Sequence, residues 1–197
     1  PFALESFIDE MAVAAKKDPF EFRRDMLPEK SRLRNVLTIA AQKSDWYGKL
    51  KAGQGRGIAC ATAYDSYCAF VCEVSLHPEK KLKVDKFVCA LDCGLVVNPD
   101  TVEAQMQSCI AFALSAALKQ RITIWKGGVI ESNFDSYPIL TYEEMPTVEV
   151  HIVRNALPVG GIGELGIGVT APALCNAIFS ATAKRIRSLP VDLTQAN

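Results

Sequence analysis

The stretch IACATAYDSYCAFVCEVSLHPEKKLKVDKFVCALDC, Ile58 to Cys93, decides the fold. Along it Tyr67, Ala69 and Val71 alternate with Cys68, Phe70 and Cys72. A period of two belongs to a strand, whose successive side chains point to opposite faces. His77-Pro78-Glu79-Lys80-Lys81 breaks the run and Leu82 to Leu91 resumes it, which predicts a long antiparallel hairpin with a polar tip. Upstream, the first 45 residues carry a helical period instead. Leu4, Phe7, Ile8, Met11 and Ala15 make one amphipathic stripe, with Lys16 and Lys17 in the last turn. Asp18-Pro19-Phe20-Glu21 is a fresh start, with Asp as N-cap and Pro at the first helical position. Ser31 caps a third helix that turns Leu33, Val36, Leu37 and Ala40 inward. The glycine-containing connection Gly48 to Gly57 separates a helical segment, residues 1–50, from the rest, residues 51–197.

Downstream of the hairpin, Asn98-Pro99-Asp100 opens a helix whose buried stripe is Val102, Met106, Ile110, Ala113, Leu114 and Ala117. It ends near Lys119, and Gly127-Gly128 marks a turn between two short strands. Thr147 to Val153 is a further strand, followed by a glycine-rich loop from Val159 to Gly168. Thr170-Ala171-Pro172 then opens a last helix bearing Leu174, Ile178 and Ala181. The class is α+β: N-terminal helices clustered at one end, a long antiparallel hairpin, mixed strands and two packed helices.

Composition narrows the function. Lys plus Arg equals Asp plus Glu at 22 each in 197 residues, so no basic surplus points to nucleic acid. Apolar runs such as Ile110 to Leu118 are too short to span a bilayer, and no signal peptide is visible. The chain starts at Pro1 in mid-pattern and reads as a fragment of a larger subunit. A cytoplasmic location is expected, with a periplasmic one open because a leader would lie outside this stretch. Seven cysteines include two C-x3-C pairs, Cys68/Cys72 and Cys89/Cys93. On strands a four-residue step covers about 13 Å, whereas sulfurs on one zinc ion lie within roughly 4 Å of each other. The cysteines therefore read as reduced, buried thiols, and no metal ligand is assigned.

The chemistry concentrates at Gly160-Gly161-Ile162-Gly163-Glu164-Leu165-Gly166. Glycines let a ligand approach the backbone closely. A lone carboxylate desolvated among glycines and aliphatics suits a general base or acid. The plainer alternative is a tight loop whose Glu164 complements the next helix N-terminus. Gly161 to Gly166 also spells G-x-G-x-x-G, the dinucleotide fingerprint. The intervening Asn155 to Pro158 and a helix opening as late as Thr170 speak against a nucleotide fold. Gln105, beside the buried stripe of its helix, either donates to a ligand oxygen or is an ordinary half-exposed glutamine. Asp92, Asp135 and Glu143-Glu144 read as solvated or turn residues.

Four stretches, Phe2 to Arg24, Asp92 to Ser108, Ser132 to Val153 and Gly160 to Val191, together resemble the molybdopterin-binding large subunit of the xanthine dehydrogenase/aldehyde oxidase family, in the isoquinoline 1-oxidoreductase beta type. The resemblance runs nearly end to end, and its most specific part is the G-x-G-E segment followed by Ala171-Pro172-Ala173-Leu174. It implies that Glu164 is the active-site base in the hydroxylation of an N-heterocycle or the oxidation of an aldehyde at an electron-poor C–H carbon, using water. Gly161, Gly163 and Gly166 would keep the backbone near the cofactor, and Gln105 would contact it. The cofactor implied is a molybdopterin dinucleotide, in its cytosine form, carrying molybdenum. The partners implied are the upstream part of the same subunit, which completes the cradle, and a small subunit holding iron–sulfur clusters. By itself the fragment is expected to be inactive. Two departures stand out: Leu165 where the family usually has Pro, and Ser108-Cys109-Ile110 where relatives often have Glu-Gly-Gly. A structural or assembly module without turnover is the alternative, and a nicotinamide-binding domain the third reading.

Overall fold

The computed structural model describes residues 1–77 and 82–194. The polar tip expected between the hairpin strands falls, from residue 78 to 81, outside the described residues. Helices α1 (Phe2–Ala14), α2 (Pro19–Met26) and α3 (Arg32–Lys43) lead into β1 (Gln54–Ala63), β2 (Ser66–Leu76) and β3 (Leu82–Asp92). Then come α4 (Pro99–Leu118), the two-residue strands β4 (Ile124–Trp125) and β5 (Gly128–Val129), β6 (Thr147–Ile152) and α5 (Ile167–Thr182). The three caps sit where the sequence puts them. Asp18 accepts from the N–H groups of Phe20 and Glu21, Ser31 from Arg34, and Asn98 from Asp100 and Thr101. Each satisfies donors that a helix start leaves without partners.

The main sheet has the order β1-β2-β3-β6. Strands β2 and β3 form the expected antiparallel hairpin, with Phe70 opposite Cys89. A second hairpin precedes it, closed by the pair Ala63–Ser66 around Tyr64-Asp65. Strand β6 returns parallel to β3 after α4, so the sheet is mixed. Both faces are buried. Ala59, Cys68, Phe70, Cys72, Phe87, Cys89 and Leu91 face α4 and α5, in one core with Met106, Ile110, Leu174 and Ile178. Ile58, Cys60, Ala69, Val71, Val88 and Ala90 face Phe20 and the α3 residues Val36, Leu37 and Ala40. The helices thus cover both faces and are not gathered at one end, because an alternation apolar on both sides needs two covers. All seven cysteines are buried free thiols. Burial raises Cys68, Cys72 and Cys89 well above the usual thiol range, so they remain protonated.

Helix α5 lies against β1 at backbone contact. A Cβ added at Gly57 would collide with the Ala177 nitrogen, and one at Gly55 with the Ala177 carbonyl oxygen. The helix also begins three residues earlier than Thr170 suggested, at Ile167, with Gly166 as N-cap. Pro172 is therefore inside the helix, where it cannot donate to the Gly168 carbonyl. The Thr170 hydroxyl secures the first turn by donating to the Gly166 carbonyl at 2.8 Å.

Helix α1 reverses the expected polarity. Leu4 and Phe7 are 62% and 57% exposed, while Glu5, Asp9 and Ala12 are buried. The reason is a paired set of charges. Arg23 is 1% exposed; it donates to Glu5 Oε2 at 2.9 Å, to the Glu5 carbonyl at 2.8 Å and to the Pro19 carbonyl at 3.0 Å. Arg185 donates to Asp9 Oδ2 at 2.7 Å, and the Cys60 N–H donates to Glu5 Oε2 at 3.0 Å. Two carboxylates against two guanidinium groups make the buried face of α1 electrically complete.

Two outcomes test this packing in the polypeptide that carries these residues. Arg23→Ala leaves Glu5 buried without its guanidinium and destabilises by about 3–5 kcal/mol, read as a lowered thermal midpoint. Gly57→Ala forces α5 off the sheet and costs about 2 kcal/mol or more. Midpoints equal to wild type would show that neither contact is formed.

Candidate active site

The glycine-rich loop leaves β6 and is pinned at successive points before reaching Glu164. At its base Asp92, 2% exposed, accepts from Arg32 at both carboxylate oxygens, 2.9 Å to Oδ2 and 2.6 Å to Oδ1. Asn155 Nδ2 donates to the same Asp92 Oδ1 at 2.8 Å, and the Gly94 N–H does so at 3.1 Å. Burial alone would push the Asp92 carboxyl up, but these hydrogen bonds outweigh it and hold it below the usual carboxylate range. Asp92 is thus a buried junction between α3, β3 and the loop, not the solvated turn residue expected. Glu144 is the exposed turn residue expected: it pairs with Lys119 at the end of α4 and caps a short turn through Thr141, and the Lys119 hydrogen bond brings it down to about 2.

Above this junction the Leu95 N–H donates to Leu157, and the Gly160 N–H to Cys93. The Gly161 N–H then donates to the Tyr64 carbonyl at 2.7 Å, which ties the loop to the turn between β1 and β2. That turn is unusual. Tyr64 and Asp65 have φ of 53° and 59°, left-handed values that favour glycine, asparagine or aspartate. Gly161 admits the turn, since a Cβ there would stand 2.9 Å from Tyr64 Cβ. Gly166 is equally filled by protein, with Cys109 Cβ 2.8 Å and the Phe70 ring 2.9 Å from the place of a side chain. Gly163 is open: among the described residues only Gln105 Nε2 comes within 4 Å of such a Cβ, at 3.8 Å.

The loop brings Glu164 and Gln105 to one place. Gln105 Nε2 donates to the Gly163 carbonyl at 3.3 Å, and the Cys109 thiol reaches the same oxygen at 3.4 Å. The Glu164 carboxylate is exposed in this chain, not desolvated as its neighbours in sequence suggested. It does not cap α5, whose N-terminus has no side-chain cap. Instead Tyr64 Oη donates to Glu164 Oε2 at 3.1 Å, and among the described residues no hydrogen bond reaches Oε1. That hydrogen bond, together with the carboxylate charge, raises the Tyr64 phenol above the ordinary tyrosine range. Both departures from the family pattern lie directly under this loop. Leu165 is 2% exposed and anchors the loop in the core, and the Cys109 side chain fills the space beside Gly166. The sequence singles out Cys109 only as a departure from the family pattern, and Tyr64 not at all. The only signal for Tyr64 is that the alternation resets between Ala63 and Ser66.

The fingerprint reading loses one objection and keeps the other. Helix α5 does open directly after Gly166, yet β6 ends at Ile152, nine residues before Gly161. No strand follows α5 among the described residues. An open glycine, a carboxylate with one free oxygen and an amide at hand suit the edge of an organic cofactor rich in donors and acceptors.

Comparison with known proteins places the chain as a whole. The beta subunit of isoquinoline 1-oxidoreductase from Brevundimonas diminuta is 37% identical over 195 residues, which are 96% of this chain and 25% of that protein. One of the subunits of nicotinate dehydrogenase from Pseudomonas putida is 32% identical over 209 residues, covering 96% of this chain and 18% of its own. This chain therefore spans a quarter or less of the length of these relatives. In fold it is similar to the aldehyde oxidoreductase of Desulfovibrio gigas, with a TM-score of 0.77 over 96% of this chain and 39% of that one, at 14% identity. The profile described as molybdopterin cofactor-binding domain matches residues 10–146, well over half of the chain. This chain belongs to the molybdopterin cofactor-binding domain family.

Proposed function

We propose that this chain supplies the catalytic base, and one wall of the cofactor cradle, in a molybdenum hydroxylase that oxidises an N-heterocycle or an aldehyde. The observation that carries the proposal is the Glu164 carboxylate, held through Oε2 and open at Oε1, on a loop pinned to three different elements. The overall change is RH plus water to ROH, with two protons and two electrons released. When bound, the molybdenum cofactor supplies the redox chemistry that accepts those two electrons from the C–H carbon. Glu164 takes a proton from water as its oxygen attacks that carbon, which makes the oxygen nucleophilic near neutral pH. Gln105 fixes the Gly163 carbonyl and lines the open side of the loop, so Gly163 and Gln105 are the residues placed against the cofactor. Gly161 and Gly166 act at one remove, by letting the loop sit tightly on Tyr64, Cys109 and Phe70.

The cofactor form is a molybdopterin cytosine dinucleotide, and the electrons leave through iron–sulfur clusters on a small partner subunit. The relatives' names support this reading: isoquinoline and nicotinate are N-heterocycles, and both proteins are named as subunits. The rest of the same polypeptide completes the cradle. It also covers the apolar face of α1 at Leu4 and Phe7, Trp125 on β4 and Phe134 after β5, all more than half exposed here.

Glu164→Gln keeps the shape of the side chain and removes its basicity. In the complete enzyme it lowers kcat by about a thousandfold while molybdenum per subunit, measured by elemental analysis, stays at the wild-type value. Turnover near the wild-type rate would remove Glu164 as the base. A wild-type complex that carries molybdenum but turns over neither class of substrate would favour an assembly module.

A further inference from the structure

We infer that Tyr64 is a positioning residue for Glu164: its hydroxyl holds one carboxylate oxygen so that the other faces the reacting water. The inference rests on the reading of Glu164 as the base. Three observations carry it. Tyr64 Oη reaches Glu164 Oε2 at 3.1 Å from 100 residues away in the chain, and no other side chain among the described residues donates to that carboxylate. Tyr64 occupies a left-handed backbone conformation, shared with Asp65, that a bulky residue adopts only where its surroundings impose it. Those surroundings are the proposed active-site loop itself. The Gly161 N–H donates to the Tyr64 carbonyl at 2.7 Å, and Gly161 lacks the Cβ that would collide with Tyr64 Cβ. One residue thus meets the loop twice, with its backbone at Gly161 and its side chain at Glu164.

A two-residue hairpin loop is best served by Asn-Gly or Asp-Gly. Packing gives no reason for tyrosine here, because the residue is 63% exposed in this chain. The hydroxyl is what distinguishes Tyr64 from the turn residues that would fit the backbone more easily. A donor to a carboxylate favours the charged form over the protonated one. It also removes the freedom of the carboxylate to rotate, which matters because a base must lie within hydrogen-bond reach of the proton it takes. The ionisable side chains that sense Glu164 are Tyr64 from the β1–β2 turn and Cys109 from α4, whose thiol is raised first by burial.

The test uses the complete enzyme with its cofactor and small subunit. Tyr64→Phe removes only the hydroxyl. It lowers kcat about tenfold and leaves KM within about twofold, while molybdenum content stays unchanged. The second measurement does not depend on turnover. With fluorotyrosine placed at position 64, the ¹⁹F resonance follows the phenol through its titration. Because the carboxylate holds that phenol up, Glu164→Gln lowers the midpoint. An unchanged kcat in Tyr64→Phe, with Glu164→Gln inactive, would overturn the role of Tyr64 and leave Glu164 as the base. A midpoint that does not move in Glu164→Gln would likewise overturn it. An active Glu164→Gln enzyme would overturn the reading of Glu164, and this inference with it.

Discussion

Strands β2 and β3 bury side chains on both faces, and most of the molecule follows from that constraint. Cys68, Phe70 and Cys72 on one side and Ala69 and Val71 on the other are fully buried, so neither side of the sheet can be left to water. Burial stabilises by about 25 cal/mol per Å² of apolar surface removed from solvent. The chain meets this demand with α3 on one face and α4 with α5 on the other. Helix α5 approaches closest because β1 offers Gly55 and Gly57 where the helix backbone passes. Its N-terminus is thereby fixed over the sheet, and the loop that ends at Gly166 has little freedom left. The site is a consequence of this covering, since the residues before α5 must cross the strand ends to reach it.

How the loop is held explains how the proposed base can sit on a segment without regular structure. Asp92 and Asn155 fix its base, the β1–β2 turn fixes its middle, and Gln105 and Cys109 on α4 fix its end through one carbonyl oxygen. Catalytic groups on loops work when a rigid scaffold determines their position. Here the anchors come from β3, from the β1–β2 hairpin and from α4, so rotation about any single anchor is opposed by the others. Cys109 adds a thiol that burial keeps protonated. It fills the space beside Gly166 and donates to the Gly163 carbonyl, so the loop is supported by a side chain from below.

Much of this was legible in the sequence, for local reasons. The caps at Asp18, Ser31 and Asn98 are three-residue signals, and the β2–β3 hairpin is written in strict alternation. Glu164 could be singled out because glycines surround it, and Gln105 because a helical period sets it beside a buried stripe. What escaped depends on contacts between distant residues. The turn at Tyr64-Asp65 has no glycine or asparagine to announce it, and its partner lies on the far side of the chain. Asp92 looked solvated because Arg32 and Asn155 are 60 and 63 residues away. The start of α5 was misplaced because Thr170 followed by Pro172 imitates a cap, although the Thr170 hydroxyl in fact bonds back to Gly166 from within the helix.

Helix α1 shows why amphipathicity alone could not settle orientation. A hydrophobic stripe tells which face is apolar, not which face this chain covers. Glu5 and Asp9 can turn inward only because Arg23 and Arg185 meet them there, and a buried carboxylate without such partners would be strongly unfavourable. A buried ion pair contributes little net stability compared with apolar packing, but it tolerates few alternative arrangements, since every other register leaves a charge without a partner. The cluster therefore acts as a locator: it sets α1 against α2, β1 and the end of α5 in one arrangement, and turns Leu4 and Phe7 outward. A helix that gives its polar face to its own core keeps its apolar face for whatever packs on it next.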